Sequence, residues 1–219
     1  MIEQLVPQNH QRLSYLYNTQ ELLLVALFAG LGLGTKSLVG PIVKSFTAAL
    51  FIPGGAVAGG FYMLWLVLAR WSIRKPFSGT FVAVVQSFSV FMVPFGSHGI
   101  FSIVTYTMPG ISVDLLYYGV RRFVEKRSQS GADSPLLLVM CLSTGVANTV
   151  GTFLSAMTFR MFEGLPLIII GVILGIAFFS GSIGGILAFR VFKEIEIYLR
   201  QELTIDDEPA LDSKLTGEQ

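Results

Sequence analysis

Long apolar runs separated by short clusters of charge dominate the chain. Five of them, Pro53 to Trp71, Phe77 to Phe95, Ile100 to Phe123, Pro135 to Phe159 and Leu167 to Phe192, have the length and apolarity of a hydrocarbon crossing, which takes about 20 residues of α-helix. Helix-start signals precede two of them, Ser134 with Pro135, and Pro166 before the last run. A sixth run is less regular. Asn18 with Glu21 three residues later reads as a capping box, and the chain is apolar from Leu22 to Gly34, so a crossing over about 19–38 is predicted, with Lys36 near enough to the end to snorkel.

The stretch from Val39 to Ile52 fits no crossing. It is short, contains Lys44 and opens with Gly40-Pro41, which breaks a helix. It is therefore predicted to be an interfacial or re-entrant, partly helical lid. The fold class that follows is all-α: a polytopic membrane protein built as a six-helix transmembrane bundle, with spans at about 19–38, 53–71, 77–95, 100–123, 135–159 and 167–192. The lid covers 39–52, and the acidic tail over 201–219 is predicted to be disordered.

Composition agrees with this reading. Of 219 residues, 53% are hydrophobic and 13% charged, against roughly 25% charged in soluble domains. The net charge of +1 gives nucleic acid no basic surface to bind, and Cys141 is alone, so no intramolecular disulfide forms. Charge placement orients residues 53–219 in the plasma membrane; a seven-span arrangement with the N-terminus outside would place the same loops inside, and segment length with Gly40-Pro41 favours six spans. With both termini cytoplasmic, the inner side receives Arg12, Arg70, Arg74, Lys75, Arg121, Arg122, Lys126, Arg127, Arg190, Lys193, Arg200 and Lys214, and only Lys36, Lys44 and Arg160 fall outside.

Small residues recur at four-residue spacing in the first span (Ala26, Gly30, Gly34) and in the last (Gly171 and Gly175, then Gly181 and Gly185). Such stripes let helix backbones approach, either within this chain or against another membrane subunit. Gly54, Gly55, Ala58, Gly59 and Gly60 open the second span densely enough to require that something approach or bend that backbone.

Few polar side chains lie at membrane depth. The outer half holds Tyr62, Gln86, His98, Tyr106, Asn148 and Glu163, the candidate substrate-binding set, and Tyr62, Trp65, Phe91, Phe95 and Tyr106 are candidate aromatic walls for a flat ligand. Glu163 also reads as a loop charge paired with Arg160. Asp114, placed towards the middle and inner half, needs a partner, a proton or a water-filled cavity. No HExxH, GxSxG or GxxxxGK[ST] motif occurs, so no catalytic residue and no resident cofactor or metal is assigned, and a binding or transport role is predicted over an enzyme.

The run IPGGAVAGGFYMLWLVLARWSIRKPFSGTFVAVVQ, six spans in about 200 residues, a small-residue stripe on the first helix and a long first external connection resemble the substrate-binding S components of energy-coupling factor (ECF) transporters. Within that group the GG..YMLW helix followed by RKP is similar to the branch associated with thiamine or its hydroxymethylpyrimidine precursor, a branch also labelled cobalt-related. The similarity is clearest over about 20–125. It implies capture of a small vitamin under a lid after the first helix, and association with a transmembrane coupling subunit and two ATPase subunits. The family's coupling motif, two Ala separated by three residues, would fall on Ala26 and Gly30, with Gly a departure in the second place. Cobalt, nickel or cobalamin are alternative substrates. A structural or assembly subunit, or a proton-coupled secondary carrier working through Asp114, are alternative functions.

Overall fold

A computed structural model describes residues 17–50, 52–92, 99–128 and 134–215, with side chains for all of these except 50, 121–128 and 198–215. Among them are six α-helices: α1 Thr19–Thr47, α2 Gly54–Ile73, α3 Ser78–Met92, α4 Ser102–Ser128, α5 Ser134–Thr158 and α6 Leu167–Leu215. Short 3-10 turns at Ala48–Leu50 and Gly99–Phe101 precede α2 and α4. Four helical segments are long and apolar enough to cross a membrane: Thr19–Thr47, Gly54–Ile73, Ser134–Thr158 and Leu167–Ile197. The apolar Ser78–Met92 is shorter, at about 22 Å. The chain is a multi-pass helical membrane protein.

Helix α2 is the axis of the bundle and packs against α1, α3, α5 and α6. Apart from Tyr62 and Arg70 its sequence is apolar or small all round, the signature of a helix with no solvent face, and Ala58, Leu64, Leu66, Val67, Leu68, Ala69 and Trp71 are all buried. The glycine-rich start serves contact. A Cβ on Gly59 would collide with the Asn148 side chain of α5, and one on Gly60 would collide with the Ser180 carbonyl of α6. From the other side, a Cβ on Gly184 would lie 2.7 Å from the Gly60 Cα, so α2 and α6 meet backbone to backbone. The approach that the glycine density required is thus made by α5 and α6, with the Lys44 stem against Gly54.

The predicted break at Gly40-Pro41 does not occur. α1 continues through Pro41 to Thr47, so residues 39–47 extend the first helix and do not form a separate lid. A mid-helix proline costs about 3 kcal/mol, but packing holds the helix against α2. A Cβ on Gly40 would be 3.7 Å from the Tyr62 hydroxyl, and Gly54 sits under Lys44. The Ser45 and Thr47 hydroxyls donate to the carbonyls of Pro41 and Val43 at 2.9 and 3.0 Å. In an apolar surrounding, an unwound turn would leave more backbone groups unpaired than the one that proline removes.

Two further boundaries differ. The last helix does not end near residue 192 but runs to Leu215, into the acidic stretch predicted to lack structure; that stretch holds three Glu and three Leu, which favour helix. The third apolar run yields 15 helical residues, and residues 93–98 lie outside the described ones. The capping box forms as read, with the Asn18 N–H donating to Glu21 Oε2 at 2.8 Å.

Candidate functional site

Two polar clusters occupy opposite ends of the bundle. At the end carrying Arg70, Arg74 and Lys75, the Arg70 and Asp114 side chains are 1% and 3% exposed. Arg70 Nε lies 3.1 Å from Asp114 Oδ1, an ion-pair contact and not an aligned hydrogen bond. Arg70 Nη1 donates to the Lys75 carbonyl and, at 3.2 Å, to Ser78 Oγ, and the guanidinium stacks 3.7 Å from the Tyr117 ring centroid. Asp114 accepts from Gly79 N at 3.3 Å, Thr80 N at 2.7 Å and Thr80 Oγ1 at 2.6 Å.

Asp114 thus caps α3 from a neighbouring helix, where the free N–H groups and the helix dipole favour a carboxylate. Gly110, one turn earlier, permits the approach: a Cβ there would lie 2.8 Å from the Gly79 carbonyl. Asp114 sits level with the 74–77 connection and holds the α2–α3 hairpin to α4.

The second cluster lies towards the other end, between α1, α2, α3 and α4. Lys36 Nζ donates to the Tyr106 hydroxyl and lies 3.9 Å from that ring's centroid. One residue earlier, Thr35 Oγ1 accepts from Trp65 Nε1 at 3.0 Å. One turn before Lys36, Gly32 faces Gln86, whose Nε2 occupies the space a Cβ would need, with Trp65 Cδ1 3.6 Å from the same point. Gln86 is 6% exposed, and its Nε2 has no hydrogen-bond partner. Tyr62 stands beside this group, opposite Gly40.

The structure therefore brings together three of the six sequence-predicted residues: Tyr62, Gln86 and Tyr106. Asn148 belongs elsewhere. Its amide donates to the Ala177 carbonyl at 2.8 Å and the Ala56 carbonyl at 3.3 Å, tying α5 to α2 and α6. Glu163 is on an exposed turn, its Oε1 3.4 Å from Arg160 Nε. His98 and Phe95 lie outside the described residues, and Phe91 is 54% exposed and lines nothing here.

Lys36 and Thr35 were absent from the predicted set. Lys36 reads as a snorkelling residue only if the helix ends near 38. With α1 running to Thr47 it stands about 16 Å from the end and turns into the bundle. The missed signal is Gly32, one turn before it on the same face, which opens room beside both side chains.

The small-residue stripe of α1 takes the other side. Ala26, Gly30 and Gly34 are exposed, and a Cβ on either glycine would meet nothing within 4 Å among the described residues. In α6 the stripe divides: Gly171 and Gly175 are open, while Gly181 and Gly185 press on the α5 backbone at Thr144 and Cys141. Two apolar grooves, of about 340 Å³ between α2 and α6 and about 280 Å³ beside Asp114, are separate from the Lys36 cluster.

These features define a helical membrane protein with an internal polar cluster and an unpartnered small-residue face. Residues 20–124, just under half of the chain, match the sequence model of a family described as "ABC-type cobalt transport system, permease component". The match covers α1 to α3 and most of α4, the four helices that form the Lys36 cluster, and identifies the chain as similar to the membrane component of an ABC-type transporter. No curated protein and no solved structure gives a significant match.

Proposed function

We propose that the chain is the substrate-binding membrane subunit of an ECF-type ABC importer. It spans the membrane six times with both termini inside and captures a small heterocyclic vitamin, thiamine or its pyrimidine precursor, from outside. It binds this ligand without transforming it and passes it to a coupling subunit driven by two ATPase subunits. The observation that carries the proposal is the match over residues 20–124, because those residues also build the Lys36, Tyr62, Trp65, Gln86 and Tyr106 cluster. Ala26 and Gly30, exposed on α1, are the docking face for the coupling subunit.

A cobalt ion is the second reading, favoured by the family description. The chemistry of the cluster supports it less well, since an amine, phenols, an indole and an amide are poor ligands beside the imidazole and thiolate groups that bind cobalt well. Among the described residues no three His, Cys, Asp or Glu side chains come together.

The test is a titration of the purified chain with a vitamin panel and with Co2+, following Trp65 and Trp71 fluorescence and thermal shift, alongside mass spectrometry of co-purifying ligands and subunits. Submicromolar binding of one vitamin and recovery of ATPase partners is the expected result. Binding of Co2+ alone selects the second reading, and no binding with no ATPase partner overturns both.

A further inference from the structure

The α2–α3 connection holds two residues in the left-handed backbone region, Arg74 at φ 56° and Phe77 at φ 59°. Neither is glycine, so the turn keeps a conformation that residues with side chains rarely adopt. It leaves the Phe77 ring exposed, with its centroid 6.0 Å from that of Tyr118 on α4. These two rings, with Ile111 and Leu115, supply the apolar lining of the groove of about 280 Å³ beside Asp114.

The polar groups of this groove are already engaged. Thr80 Oγ1 donates to Asp114, which also accepts from backbone N–H groups of α3 and pairs with Arg70. The acid therefore presents no unpaired charge to repel an anion. Cations stand at the edge instead. Arg74, three residues before Phe77, is exposed, and no ion pair among the described residues engages it, whereas its neighbour Lys75 lies 3.7 Å from Glu21.

Along α4 the lining has an order. Ile111, Leu115, Tyr118 and position 122 follow at spacings of four, three and four, which keeps them on one helix face. Position 122 is an arginine, in a stretch where Arg121, Lys126 and Arg127 outnumber Glu125. Aliphatic side chains, then aromatic rings, then cations succeed one another along the groove. The same order runs through a phospholipid lying in a leaflet, from acyl chain through the interface to the phosphate.

We propose that this groove binds one anionic phospholipid, its acyl chain against Phe77, Leu115 and Tyr118 and its headgroup between positions 74 and 122. The groove between α2 and α6 supplies the contrast. Val57, Phe61, Ile183 and Leu187 line it with no cation among its lining residues, so lipid there is held without regard to headgroup. The proposal is independent of the transported substrate.

The experiment uses the full chain, delipidated in detergent, with added phosphatidylglycerol or phosphatidylcholine of identical acyl chains. Thermal unfolding and native mass spectrometry read the outcome. Phosphatidylglycerol should raise the unfolding midpoint by about 5 °C more than phosphatidylcholine, and one molecule per chain should survive activation that strips phosphatidylcholine. Arg74→Gln combined with Arg122→Gln should weaken phosphatidylglycerol binding about tenfold and leave phosphatidylcholine unaffected. Leu115→Trp, filling the groove from an exposed position, should lower retention of phosphatidylglycerol, whereas Ile183→Trp in the other groove should not.

Equal stabilisation by the two lipids overturns the proposal, and the comparison needs no variant to fold. A double variant that keeps the preference overturns it as well, as does an equal shift from inorganic phosphate alone, which would need no acyl groove. Were a helix of another subunit the occupant, the lipids would act equally and Leu115→Trp would reduce recovery of that subunit, again overturning the lipid assignment.

Discussion

Arg70 and Asp114 form a buried ion pair at 3.1 Å in which each partner also satisfies a different element: the arginine the connection at Lys75 and Ser78, the aspartate the first N–H groups of α3. Removing either charge strands the other, at a cost of about 3–5 kcal/mol. Arg70→Met and Asp114→Leu should each lower the unfolding midpoint in detergent, and the double variant should recover part of the loss. Additive losses would show that the two residues act independently. Asp114→Asn should leave ATP-driven uptake with no dependence on an imposed proton gradient; a gradient-driven flux that disappears in this variant would instead support a secondary carrier.

The closely packed α2–α6 contact should be intolerant of any added carbon. Gly60→Val or Gly184→Val is expected to cost about 3 kcal/mol or more, since insertion into a filled contact usually costs 1–3 kcal/mol and here the obstacle is backbone. Thermal unfolding monitored by circular dichroism checks this, and a midpoint equal to that of the native chain would contradict it.

Glycines of the outward stripe should behave oppositely. Gly30→Ala should stabilise the isolated subunit by up to about 1 kcal/mol, because it removes a helix-interior glycine and meets no neighbour. Gly30→Leu should preserve ligand affinity while abolishing co-purification with the coupling subunit and uptake. Loss of ligand binding in that variant would place the stripe in the binding site.

Asn148 offers a control for the site assignment. Asn148→Ala removes an amide that bridges two helices and should cost about 1–3 kcal/mol, yet ligand affinity at 10 °C should change less than threefold. A tenfold loss of affinity in a folded variant would return Asn148 to the ligand shell.

Tyr17 precedes the first helix, and its hydroxyl donates to the Pro76 carbonyl at 2.8 Å. Burial, and then the negative charge of Asp114, push its pKa up from 10.0 to about 12. The neutral phenol is therefore favoured by folding. Its contribution is complete below pH 10 and fades as pH rises through 12. Absorbance titration at 295 nm should show a late-ionising tyrosine that Tyr17→Phe removes, and the variant's stability should fall less steeply over that range.

The sequence carried the helical class and the six apolar runs, because length and apolarity are local properties. It carried less about where helices end. Proline at position 41 reads locally as a stop, and only the packing of Gly40 and Lys44 against α2 overrides it. That error displaced Lys36 from interior to interface and so from the candidate site. Tyr62, Gln86 and Tyr106, named from depth and chemistry, lie in one cluster, whereas Asn148 at similar depth bonds to α2 and α6, because depth does not reveal facing. The Arg70 and Asp114 pairing joins residues 44 positions apart on different helices, and no spacing rule within one helix announces it.

The glycines at 60 and 184 lie against each other's backbone, while a Cβ at 30 or 34 would meet nothing within 4 Å among the described residues. Tolerance to replacement consequently acquires a location. At the first pair, intolerance originates inside the subunit and will accompany misfolding; at the second, intolerance in a chain that still folds would point to a neighbouring subunit. Saturating these four positions and scoring folding separately from growth would outline the contact surface of a partner before that partner is isolated.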